Sequence, residues 1–236
     1  MKISQYASDP MEKLRSWLVI AGIPFLVICA GNAGPWQRTS DPGDLDTRVR
    51  QFLESRRGSW HEMNVPASDG QMLFNIIVER KYKSALEIGT STGHSGIWIA
   101  WALSKTGGRL ITVEIDASRR AEALANFKEA GLSQYIDSRL GDAHRIVPSL
   151  PGPFDFVFCD ADKDWYKNYL KETLPRLITG GCFVAHNISE HSYGGYAREF
   201  LQYARSLPYL ETTLTGSGGS GMSISCKKAE TTPSTH

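Results

Sequence analysis

"LEIGTSTGHSG", residues 86–96, joins a short apolar run to a turn with glycines at 89, 93 and 96. That spacing is GxxxGxxG, whereas a turn that lets a pyrophosphate approach the backbone is written GxGxxG. Thr90, Ser91 and Thr92 fill the gap, which suits a ligand without a pyrophosphate and argues against an NAD-linked oxidoreductase. Glu87, just ahead of the turn, is placed to meet a ligand's amino group.

Working outward, "SALEIG", "RLITVEID", "IDSRLGD", "FDFVFCD" and "GCFVAHN" are short β-type runs. They are separated by helical stretches such as "SRRAEALANFKEAGL" and "DWYKNYLKETLPRLITGG". Strands alternating with helices predict βαβ units: an α/β, Rossmann-like parallel sheet with helices on both faces. "LPYLETTLTGSGGSGMSISCKK" adds two strand-like runs around a Gly/Ser turn, hence an antiparallel edge pair. Upstream, Leu45, Val49, Phe52 and Leu53 have helical spacing. A second helix is expected from Asp69 as N-cap, with Met72, Ile76 and Ile77 on its apolar face.

The chain has 236 residues, 41% hydrophobic and 22% charged, which is ordinary for a globular protein. With 26 basic and 25 acidic residues it carries no electrostatic footprint for nucleic acid. A small molecule is the better-matched partner, and a homodimer stays open. Cys29, Cys159, Cys182 and Cys226 show no CxxC pairing and read as buried thiols rather than a disulfide framework, leaning towards a reducing compartment.

The N-terminus pulls the other way. "WLVIAGIPFLVICAG", residues 17–31, is an uncharged apolar run preceded by Lys13 and Arg15 and followed by small residues up to Ala33. Residues 1–33 therefore read as a signal peptide or membrane anchor, with export or membrane association through 17–31 and a cytoplasmic location as the other case. Residues 34–43 read as a linker, 44–228 as the folded domain and 229–236 as a loose tail.

Two further strand ends carry candidate ligand contacts. "ITVEID" ends in Glu114, whose two oxygens can accept charge-assisted hydrogen bonds from a ribose. "GDAH" places Asp142, Ala143 and His144 after the third strand, beside an adenine. Glycine turn, second-strand acid and third-strand "GDA", in that order, specify S-adenosylmethionine more than NAD.

These pieces, with "DADKDWY" and "AHN" at 185–187, make the chain resemble the metal-dependent O-methyltransferases of the catechol and caffeoyl-CoA type, from Met63 to the last strand. The resemblance implies the class I methyltransferase fold and transfer of a methyl group from S-adenosylmethionine to a small hydroxylated aromatic acceptor. It implies a cofactor site lined by Val65, Glu87, Gly89, Ser91, Ser95, Glu114 and Ala143, to which Thr90 in the same turn is added. It also implies that Asp160 ligates a magnesium-type ion beside the cofactor's methyl group, and that Lys163 takes the hydroxyl proton.

The chemistry stands without the resemblance. A phenol ionises near pH ~10 and attacks a methyl sulfonium poorly at neutrality. A divalent cation or a positioned base corrects that. Asp162 and Asp164 read as helix-start acids. One departure from the resemblance is conspicuous: the family it points to usually has Asp-Asn where this chain has His186-Asn187. The expected metal set is then Asp160, His186 and Asn187, and imidazole suits Mn, Fe, Co or Zn better than Mg. A metal-free enzyme with His186 as base, and a non-catalytic protein retaining the fold, stay open.

Overall fold

The computed structural model describes residues 42–60, 63–189, 195–215 and 221–228. The leader or anchor at 1–33, most of the 34–43 linker and the 229–236 tail lie outside the described residues. Among the described residues no helix is long and apolar enough to cross a membrane.

Helix α1 (Pro42–Ser55) starts two residues inside the stretch read as linker, with proline at its first position, where the missing N–H costs nothing. Helix α2 (Ala67–Arg80) begins ahead of Asp69, after Pro66, so Asp69 is not its N-cap. Leu73 and Ile77 are its buried apolar residues, while Met72 and Ile76 pack at the margin of the core.

The five central strands are β1 (Ser84–Ile88), β2 (Arg109–Glu114), β3 (Ile136–Leu140), β4 (Phe154–Cys159) and β5 (Leu177–His186). Helices α3 (His94–Thr106), α4 (Ala117–Glu129), α5 (Ala143–Ser149) and α6 (Tyr166–Thr173) connect them. Helix α6 is shorter than the sequence predicts. The chain makes a 3₁₀ turn over Leu174–Arg176, and Leu177 already opens β5. Helix α7 (Gly195–Ser206), β6 (Leu210–Thr215) and β7 (Met222–Lys227) complete the described chain.

The sheet runs β3-β2-β1-β4-β5-β7-β6. The first five strands are parallel, and β7 lies antiparallel to both β5 and β6. Side-chain alternation fills two apolar cores, one per face. Phe156, Phe158, Cys182 and Val184 belong to one; Val157, Cys159, Phe183 and Ala185 belong to the other. A shift of register between Phe154 and Phe156 turns Phe154 into the second core.

The cysteine reading needs correction. β5 and β7 set Cys182 directly opposite Cys226, with Cα atoms 4.0 Å apart, and the two form a disulfide. Their 44-residue separation in sequence conceals a pairing that only strand order creates. Cys159 is a free, buried thiol, and burial pushes its ionisation far up.

Strand order reverses between β1 and β4, and ligands of open α/β sheets gather beyond the carboxyl ends of strands at such a point. The turn after β1 and the acids after β4 meet there.

Candidate functional site

The two strand ends are in direct contact. Asp160 N donates to Ile88 O at 2.9 Å. Gly89 has φ +97°, and a Cβ there would meet Asp160 O at 2.7 Å. Glycine is needed at 89 for its conformation and for this close approach. Ser91 continues the turn at φ +50°, and its N–H donates to Glu114 Oε2 at 2.7 Å. Asp116 N donates to the other oxygen at 3.0 Å. Glu114 is thus aimed by two main-chain donors, with acceptor capacity left on both oxygens.

A cavity of about 410 Å³ opens at this point. Gly89, Ser91, Glu114, Ala143 and Asp160 line it, as do Asp142 and His144. The other predicted cofactor residues lie outside its wall. Glu87 is fully buried beneath the turn, where Ser95 Oγ donates to one oxygen at 2.6 Å and Thr112 Oγ1 to the other at 2.5 Å. Its burial pushes the carboxyl up to about 7 against the pull of the two hydroxyls. Thr90 is buried too, its hydroxyl bonded to that of Thr112. Val65 lends its carbonyl to His94 Nδ1 at 2.8 Å. Glu87, Thr90, Ser95 and Val65 therefore support the turn instead of facing the cavity.

Met63, Ile115, Arg119 and Tyr169 line the cavity and escaped the sequence reading. Ile115 is 70% exposed, an apolar side chain that no core packing explains. Its position immediately after Glu114 was the available signal. Asp162 is more than a helix-start acid, for Tyr169 donates its hydroxyl to Oδ1 at 2.7 Å and His144 Nε2 lies 3.0 Å from Oδ2. A larger hollow, about 880 Å³, lies along Trp60, His94, Trp98 and Trp101. Of the predicted site residues only Val65 lines it, so it is not where those residues meet.

Asp160 forms the far side of the 410 Å³ cavity. Lys163 Nζ donates to its Oδ1 at 2.5 Å and to Tyr166 Oη at 2.8 Å. His186 stands behind it, only 4% exposed. Its Nδ1 lies 3.2 Å from Asp160 Oδ2, an ion-pair distance without hydrogen-bond alignment. Its Nε2 is 2.9 Å from Asp69 Oδ2, from the first turn of α2. Burial works against the imidazolium, but the two carboxylates outweigh it and hold His186 above the usual imidazole range. Burial also raises Asp160, and His186 with Lys163 reverses that, leaving it below the usual carboxylate range.

The expected metal set of Asp160, His186 and Asn187 contains two side chains of the His, Cys, Asp and Glu kind and one amide. Among the described residues no three His, Cys, Asp or Glu side chains converge on a point able to hold a metal ion. Asp160 and His186 face each other, and Asn187 leaves the strand at φ +56°.

A sequence model of the O-methyltransferase family matches residues 43–193. Over 130 residues the chain is 39% identical to the catechol O-methyltransferase of Niastella koreensis, covering 53% of this chain and 58% of that protein. It is 35% identical over 133 residues to caffeoyl-CoA O-methyltransferase 1 of Eucalyptus globulus, covering 54% of each. The chain thus spans little more than half the length of these curated relatives. Among solved structures, the O-methyltransferase TomG of Streptomyces achromogenes, in complex with SAM, matches with a TM-score of 0.67 and 25% identity over 77% of this chain and 90% of that one. The Bacillus cereus O-methyltransferase in complex with SAH matches in fold, with a TM-score of 0.68 and 24% identity over 78% and 91%. With most of the Rossmann-like domain covered by the family model, the chain belongs to the O-methyltransferase family.

Proposed function

We propose that the protein transfers a methyl group from S-adenosylmethionine to the hydroxyl of a small phenolic or catechol-like acceptor. One observation carries the reading. The cavity beyond β1, β2 and β4 is lined by Gly89, Ser91, Glu114, Ala143 and Asp160, and Lys163 pairs with Asp160 just outside that lining. A ribose-accepting carboxylate in the cavity and a proton-handling cluster that reaches it through Asp160 match the two halves of this reaction. The names of the curated relatives, catechol and caffeoyl-CoA O-methyltransferases, support the acceptor class.

S-Adenosylmethionine, when bound, supplies an electrophilic methyl group on a sulfonium. Glu114, held by Ser91 and Asp116, takes the ribose hydroxyls, and Asp142 with Ala143 borders the base. The missing pyrophosphate explains why three hydroxyl residues can occupy the turn between Gly89 and Gly93. Lys163, held by Asp160 and Tyr166, can take the acceptor's proton once its own ammonium has released one to solvent.

Titrating S-adenosylmethionine against the full chain tests the reading. Saturable binding is expected, with Glu114→Ala at least tenfold weaker, since each charge-assisted hydrogen bond lost is worth about 1.5–3 kcal/mol. Absence of saturable binding to the unaltered chain would reject it.

A further inference from the structure

Asp160 and His186, both expected as metal ligands, are tied into a wider cluster of ion pairs. Asp69, His186, Asp160 and Lys163 form one continuous chain of opposite charges. Asp69 Oδ2 is 2.9 Å from Nε2 of His186, whose Nδ1 is 3.2 Å from Asp160 Oδ2, and Asp160 Oδ1 is 2.5 Å from Lys163 Nζ. Three elements supply it: the first turn of α2, the end of β4 with its following turn, and the last residue of β5. We propose that His186, clamped between Asp69 and Asp160, is a fixed internal cation that replaces a metal ion at this site and excludes one. This proposal rests on the methyl-transfer reading of the same cavity only for the meaning of the site, not for the clamp itself.

Geometry and charge balance carry it. An imidazole that faces a carboxylate from each ring nitrogen has no lone pair free for a metal while both nitrogens hold protons. Two carboxylates, one imidazolium and one ammonium cancel, so the cluster offers no net negative charge to a divalent ion. To ligate, His186 would have to lose a proton and give up one carboxylate partner. The side chains of His186, Asp160 and Asp69 are 5%, 13% and 14% exposed, so water cannot readily replace the lost partner. Leaving a buried charge unpaired is strongly unfavourable. The positive charge stays behind Asp160, out of the cavity wall, and there it orders the carboxylate that holds Lys163.

The test is metal binding by the chelator-treated full chain, read by Co²⁺ absorption and by the melting midpoint with Mg²⁺, Mn²⁺ or Co²⁺. The unaltered chain is expected to show no saturable binding and no shift. His186→Asp, which exchanges the cation for a third carboxylate, should gain at least tenfold in Mn²⁺ or Mg²⁺ affinity. Asp69→Asn, a gentler change that frees Nε2, should gain at least tenfold for Co²⁺ and covers the case in which His186→Asp does not fold. One equivalent of Co²⁺ bound by the unaltered chain would overturn the proposal, as would folded variants that gain nothing. S-Adenosylmethionine titration of the unaltered, metal-free sample is a separate readout. Its failure would reject the proposed function and leave the clamp standing.

Discussion

Around the glycine turn, groups are held mainly by the main chain and by neutral hydroxyls; around Asp160 they are held by charge. Glu114 is aimed by the N–H groups of Ser91 and Asp116, and Glu87 is braced by Ser95 and Thr112. Across the cavity, the Asp160 carboxylate takes one cation on each side, Lys163 and His186. The first arrangement is rigid and local, as binding an uncharged ribose requires. The second is suited to moving a proton, because changing one member's charge is felt by the next through a low-dielectric interior. The two regions should therefore fail differently when altered.

The largest separation is expected at Lys163. Lys163→Met keeps an aliphatic stem but removes the nitrogen that bridges Asp160 and Tyr166. Under the proposed function, methyl transfer should fall by ~10²- to 10⁴-fold, the usual contribution of a positioned acid or base, or about 3–5 kcal/mol of barrier. S-Adenosylmethionine affinity, which depends on the other region, should stay within about threefold. Rate and affinity falling together would erase the distinction.

Glu87 gives the next effect, on stability and its pH dependence. Burial raises its carboxyl from 4.5 to about 7, so the folded state favours the protonated form. The associated stability is complete below pH 4.5 and is lost as pH rises through about 7. The loss is on the order of 3 kcal/mol by linkage. Glu87→Gln keeps the shape and removes the titration. Urea midpoints at pH 5 and pH 8.5 should show the variant losing less stability than the parent as pH rises. Parallel losses in both proteins would mean that the turn does not rest on a protonated carboxyl.

This contrast also explains what was legible in the sequence. "LEIGTSTGHSG" announces itself because strand, turn and helix start are consecutive, and Gly89 reports a backbone requirement that no side chain can mask. Strand alternation likewise revealed the parallel sheet and its antiparallel edge. The ion chain was not legible, because Asp69 and His186 are 117 residues apart and meet only once α2 has packed beside the end of β5. Asp69 read as a helix cap, since an acid in a first turn has a local explanation. The Cys182–Cys226 pair was hidden for the same reason, being set by the register of β5 against β7. Glu87, Thr90 and Ser95, expected among the ligand contacts, lie beneath the turn outside the cavity's lining. Proximity in sequence to a binding turn does not tell which side chains face outward and which brace it from below.

Tyr169 joins the two regions and should give the smallest effect. It projects from α6, lines the cavity and donates to Asp162, whose other oxygen meets His144 beside Ala143. Burial, followed by Asp162, pushes its ionisation far up, so it remains a phenol and a donor throughout the neutral range. Tyr169→Phe deletes that donor without opening a cavity. The Asp162 side chain is 49% exposed, so water can take the vacated place. The cost should be about 1 kcal/mol of stability, towards the lower end for a bond to a charged acceptor. S-Adenosylmethionine affinity should fall less than tenfold through a loosened His144, with the rate of transfer from the bound complex unchanged. Melting midpoints, a binding titration and single-turnover transfer measure the three quantities on one variant. A rate loss approaching that of Lys163→Met would show that Asp162 and Tyr169 relay charge into the proton-handling cluster. The boundary between the regions would then have to move from Asp160 to His144.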